Sequence, residues 1–113
     1  MRRDVVRDKE VSMPRVIYKF PIPDFPGPGE VQMDVAKGSE FRHFDSQRGR
    51  LVIWMECPSD EKDTEARRFV VVGTGQEILD DSLVYRATCI VEGFVWHLYE
   101  DMGLKAEGDG DEG

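Results

Sequence analysis

The chain has 113 residues, with 23 Asp and Glu against 15 Lys and Arg, for a formal net charge of −8. That length suits one domain, and a folded part of roughly 85–90 residues can bury a modest core of its own. The acidic excess disfavours generic binding to nucleic acid or to anionic membrane, since both want a basic face.

The composition, 40% hydrophobic and 34% charged, is that of a globular protein with charged flanks. No apolar run approaches the ~20 residues of a membrane span. Met1-Arg2-Arg3-Asp4 leads into no apolar signal core, so secretion by a visible signal peptide is not expected.

Residues 1–13 are polar and charged and read as a flexible N-terminal arm. Pro14 opens a single β domain predicted over residues 14–101. Arg15-Val16-Ile17-Tyr18-Lys19-Phe20 is its first strand, with Val16, Tyr18 and Phe20 on one face and Ile17 on the other. Pro21, Pro23, Pro26 and Pro28, with Gly27 and Gly29, forbid a regular ladder next. That stretch reads as an extended loop anchored by Ile22 and Phe25.

Glu30 to Val35 alternates cleanly, with Val31, Met33 and Val35 facing in. Ala36-Lys37-Gly38-Ser39 turns the chain. Glu40 to Asp45 is a weaker strand, and Gln47-Arg48-Gly49 a hairpin turn. Arg50 to Cys57 is apolar on both faces for most of its length, which suggests a central strand covered on both sides, or on one side by a partner. Pro58 ends it, and Ser59-Asp60-Glu61-Lys62-Asp63 is a charged loop.

Three more strands are predicted over Thr64 to Val72, Leu83 to Val91 and Phe94 to Tyr99. Glu92-Gly93 makes a tight hairpin between the last two. Residues 102–113 end in an acidic, Gly-rich tail expected to be disordered in the isolated chain. About seven strands with no helical periodicity give an all-β fold, a small antiparallel β-sandwich or partly closed barrel. Apolar residues on both faces of Leu51 to Met55 and Phe69 to Val72 exceed what one sheet face buries. A second sheet is the favoured cover, and a subunit interface is compatible with it.

Few residues point to chemistry. Gly73-Thr74-Gly75 reads first as a β-turn whose glycines supply positive φ. Its alternative is a backbone nest that holds a phosphate or nucleotide with Arg67 and Arg68, one of which faces the turn. The glycine spacing, the following helix and the lysine of a P-loop are all missing. Asp80-Asp81 reads as turn capping ahead of cation binding. His43 and His97 are the only histidines. His97 shares a strand face with Val95 and Tyr99 and reads as a packed or surface residue, since no nucleophile signature surrounds any Ser or Cys. Cys57 and Cys89, without CxxC spacing, read as buried reduced thiols, with a disulfide or a metal site as alternatives. No catalytic residue, metal or cofactor is expected.

Several segments together carry a resemblance. They are Val16-Ile17-Tyr18-Lys19-Phe20-Pro21-Ile22, Lys37-Gly38-Ser39, Val52-Ile53-Trp54 and Glu65-Ala66-Arg67-Arg68-Phe69. With them go Val72-Gly73-Thr74-Gly75, Ile78 with Asp80-Asp81, and Phe94-Val95-Trp96-His97-Leu98-Tyr99-Glu100. From Pro14 to about Glu100 the chain resembles an uncharacterised family of small proteins encoded mainly by bacteriophages and actinobacteria. The resemblance implies a phage or prophage origin and brings no activity, cofactor or catalytic residue.

The expectation is a non-enzymatic, phage-encoded interaction protein, in concrete form a small virion component such as a capsid decoration or minor structural protein. Its partners would be copies of itself or other virion proteins, and its place the virion or host cytoplasm. The alternative is an accessory protein that binds or sequesters a phosphorylated small molecule through Arg67, Arg68, Gly73, Thr74 and Gly75.

Overall fold

The computed structural model describes residues 14–23 and 29–103, and seven strands organise them. In chain order these are β1 (Arg15–Pro21), β2 (Glu30–Ala36), β3 (Glu40–Gln47), β4 (Arg50–Pro58), β5 (Thr64–Gly73), β6 (Leu83–Val91) and β7 (Phe94–Asp101). The expected arm at 1–13, the anchor Phe25 and nearly all of the acidic tail lie outside the described residues.

Two sheets form, ordered β1-β4-β3 and β2-β5-β7-β6, with every neighbouring pair antiparallel. They face one another without closing into a barrel, as an open sandwich. Phe44, Leu51, Ile53, Met55 and Cys57 of the first sheet meet Phe69, Val71, Cys89 and Leu98 of the second in one core. Ile22, just past β1, is buried in it and donates its amide to the Leu51 carbonyl at 2.9 Å. The predicted anchoring of the proline-rich connection therefore holds at Ile22.

Two β-bulges adjust the inner face. In β3 the register against β4 shifts between Phe41 and His43. The extra residue, Arg42, lets Phe41 and Phe44 both face inward although they stand three apart, and it re-aims the strand. In β6 the shift falls between Tyr85 and Ala87, and Arg86 is the extra residue.

The turns are equally specific. Arg48-Gly49 and Glu92-Gly93 each have both residues at positive φ (55° and 79°, 51° and 86°), as a two-residue type I′ hairpin turn requires.

β5 and β6 sit on opposite sides of β7, so residues 74–82 must cross the sheet. The crossover starts at a β-turn in which Gln76 N–H donates to the Gly73 carbonyl at 3.1 Å, with Gly75 at φ 93°. It passes over the outer face of the four-stranded sheet, where Ile78 shares a hollow with Val72, His97 and Tyr99. It ends in a cap where the Asp80 carboxylate accepts from the Ser82 N–H at 2.9 Å and hydroxyl at 2.7 Å. This explains the doubly apolar β5: Phe69 and Val71 enter the core, while Val72 is buried from the other side by the crossover.

Candidate functional site

The side of the molecule with most chemistry is the crossover face of the four-stranded sheet. Strand register fixes what lies there. Val70 pairs with Tyr99 and Tyr99 with Tyr85; Val72 pairs with His97 and His97 with Thr88; Ile90 pairs with Val95. Directly opposed antiparallel residues share a face, so these side chains form one surface.

Four of its polar side chains are joined in one chain. The Tyr85 hydroxyl lies 2.7 Å from the Thr88 hydroxyl, which lies 2.9 Å from His97 Nδ1, and His97 Nε2 lies 2.9 Å from the Thr74 hydroxyl. His97 thus ties the start of the crossover to β6 across β7. Tyr85 and Tyr99 stack edge to face with centroids 5.7 Å apart. Beside these engaged groups the crossover and the face carry exposed apolar side chains: Leu79 is 86% exposed and Ile90 64%. A hollow of about 210 Å³ lies between the glycine turn, Ile78, His97 and Tyr99.

The residues singled out in the sequence part company. Thr74, Gly73 and Gly75 do border this hollow. Gly75 alone of the two glycines has a positive φ; Gly73 is constrained differently, since a Cβ there would stand 3.2 Å from the Trp96 ring. The Gly73 N–H is already donated to Gln76 Oε1 at 2.7 Å.

Arg68 lies on the crossover face but is held by Glu30 and by Asp101 Oδ2, the latter at 2.8 Å. Burial lowers its pKa, yet the hydrogen bonds and charges of Glu30 and Asp101 outweigh this and raise it overall. Arg67 points the opposite way, into the sandwich. It pairs with buried Glu100 and donates Nη1–H to the Ser39 carbonyl at 2.8 Å.

Glu100 is the element that sequence reading missed. Its carboxylate, fully buried, is shared by Arg67 of β5 and by the bulge residue Arg86, 3.0 Å away. Burial pulls the Arg67 pKa down and Glu100, then Glu65, push it up, with a net rise. An acidic residue on the inward phase of the β7 alternation, after Trp96 and Leu98, was the available signal.

The outer face of the three-stranded sheet is of another kind. Glu56 of β4 receives Arg15 at 2.5 Å and Arg42 at 2.7 Å, and Arg42 also reaches Glu40 at 2.7 Å. Hydrogen bonds from Arg42 and then Arg15 hold the Glu56 carboxyl below its ordinary pKa. His43 packs on Trp54 with centroids 5.5 Å apart.

Where β1 and β2 form the open side of the sandwich, a groove of about 410 Å³ is lined by Tyr18, Phe20, Val35, Cys57 and Glu61 among others. Both cysteines are buried and free, and burial, then Asp45, raises the Cys89 pKa to about 11. Among the described residues no group of three or more His, Cys, Asp or Glu is placed to hold a metal ion. Nor is any helix among them long and apolar enough to cross a membrane.

Neither a curated protein nor a solved structure matches the chain. A family model described as a domain of unknown function, DUF7352, matches residues 13–108, which is most of the chain and all seven strands. On that match the chain belongs to the DUF7352 family, a family without an assigned function.

Proposed function

We propose that this protein is a non-enzymatic interaction module whose crossover face docks on another protein. In its concrete form it is a phage-encoded virion component, a capsid decoration or minor structural protein. One observation carries the reading. Ile78 and Leu79 of the crossover and Tyr85 and Ile90 of the sheet face it crosses are all exposed, while Tyr85, Thr88, His97 and Thr74 bond to one another. The solvent faces of antiparallel sheets are normally polar, and aromatic-rich apolar patches mark protein contacts. The phage origin rests on the resemblance of the strand motifs.

A phosphorylated small molecule bound at the glycine turn is the second reading, favoured by the hollow beside Thr74, His97 and Tyr99. It ranks below because Arg67 and Arg68 are each already held by carboxylates.

The test is a quantitative protein inventory of purified phage particles, made with the native chain and with Leu79→Asp and Ile90→Asp variants. The docking reading expects the native chain at high copy and the two variants depleted although they fold. Absence of the native chain from particles, with a phosphorylated ligand co-purifying and lost in Arg68→Ala, overturns it in favour of the second reading.

A further inference from the structure

We propose that β1 is a self-association edge. Two copies pair there antiparallel about a twofold axis at Tyr18, joining their three-stranded sheets into one of six strands. The occupant of this edge is therefore a second copy of the chain.

Main-chain geometry sets the possibility. Ser59 N–H donates to the Pro14 carbonyl at 2.9 Å, and Ile22 N–H donates to the Leu51 carbonyl at 2.9 Å. Both are residues of even number, and the β1–β4 register is unbroken between them. In an antiparallel ladder alternate residues turn both main-chain groups to the same side. The even residues therefore face β4. Arg15, Ile17 and Lys19 turn their N–H and C=O groups outward, where no strand among the described residues meets them.

β1 is also the least guarded edge. β3 and β6 lie beside each other where the two sheets meet. β2 carries the exposed carboxylate of Asp34, which disfavours pairing with a copy of the same strand. β1 has no acidic residue, and its two cations lean inward rather than across the edge. Arg15 is held by Glu56, and Lys19 donates to Gln47 at 2.7 Å. The strand also exposes apolar surface: Val16 is 37% exposed, Ile17 55% and Tyr18 50%.

Charge then selects the register. An axis at Ile17 sets Arg15 against the partner's Lys19, and an axis at Lys19 sets two lysines face to face. Like charges directly opposed destabilise a strand pair. An axis at Tyr18 sets Ile17 against the partner's Lys19, Arg15 against the partner's Pro21, and Val16 against the partner's Phe20. The outward groups then complete about six main-chain hydrogen bonds, with Pro21 lacking only a donor. Tyr18 meets the partner's Tyr18 at a non-hydrogen-bonded position, where Cα atoms approach to about 4.5 Å. That contact lies at the mouth of the β1–β2 groove and covers the exposed ring.

The experiment combines sedimentation equilibrium of the full chain under reducing conditions with cysteine cross-linking in oxidised glutathione. The native chain is expected to show a concentration-dependent dimer. Ile17→Lys, at an exposed side chain, sets the new lysine against the partner's Lys19 twice in the dimer and is expected to weaken it about fivefold or more. Tyr18→Cys is expected to form a disulfide-linked dimer much faster than Ile17→Cys, because only the Tyr18 position meets its own copy within disulfide reach. Circular dichroism confirms that each variant folds. A chain that stays monomeric to millimolar concentration overturns the proposal. So does cross-linking of Ile17→Cys as fast as Tyr18→Cys, which sets another register. These substitutions leave the crossover face intact, so either result is separable from the fate of the docking reading.

Discussion

Arg67 of β5 and Glu100 of β7 form an ion pair inside the sandwich, with Arg67 Nη2 3.3 Å from Glu100 Oε1 and both side chains buried. The pair stands across the strand ladder on the inward face. Arg86 completes it from the β6 bulge, and Ser39 closes it from the β2–β3 turn. Removing one member of such a pair leaves a charge that water cannot reach. Glu100→Leu is expected to destabilise the fold by about 3–5 kcal/mol. Arg67→Met combined with Glu100→Leu should cost clearly less than the sum of the single changes, because Arg86 is partly exposed and can reach solvent. Urea unfolding of the four chains of this double-mutant cycle measures the coupling.

The hairpin turns give a stabilising prediction. Arg48 and Glu92 occupy the first position of type I′ turns at positive φ, where a side chain without local hydrogen bonding is strained. Glu92→Asn and Arg48→Asn should each raise stability by about 0.5–1 kcal/mol, since Asn-Gly is the preferred pair there. Gly93→Ala should lower it by about 1–2 kcal/mol. A Cβ at Gly93 meets nothing within 4 Å, so the loss would come from backbone strain alone. Thermal melts of the three variants check both signs.

Cys57 and Cys89 should be silent to a thiol reagent at pH 8 in the folded protein and should both react after denaturation. Burial raises the Cys89 pKa to about 11, so the thiolate that attacks is scarce there, and both residues are buried. Rapid labelling of the native chain would show that the core opens far more readily than its packing implies.

Acid should loosen the outer face of the three-stranded sheet. The Glu56 carboxyl is held below its ordinary value of 4.5 by Arg42 and Arg15. A carboxyl whose folded pKa is lowered contributes stability above its unfolded pKa and loses it as pH falls through the folded value. Asp80 follows the same sign, its pKa lowered by the Ser82 hydroxyl and amide. The acid-induced fall in melting temperature, beginning near pH 4.5, should be shallower in Glu56→Gln than in the native chain.

Strand positions were legible because they follow local rules. Glu30–Ala36 alternates with a period of two, Pro58 stops β4, and an X-Gly pair at Arg48-Gly49 and Glu92-Gly93 closes each hairpin. The weakness of β3 as a pattern has a tertiary reason. The bulge at Arg42 breaks the alternation so that Phe41 and Phe44 both reach the core, and no local rule announces a bulge. The glycine turn was legible as a turn, while the fate of its arginines was not. Arg67 and Arg68 are adjacent in a strand and must face opposite ways, but which one meets Glu100 depends on the β5–β7 register.

By itself, then, the sequence determined the all-β class, the seven strands and their turns, because side-chain periodicity, proline and positive-φ residues act over a few positions. Strand order, the crossover of residues 74–82, the buried Arg67–Glu100–Arg86 cluster and the exposed edge of β1 were decided only in three dimensions. They arise from pairings between residues far apart in the chain, as Arg67 with Glu100 and Arg15 with Glu56, for which nearby sequence carries no signal.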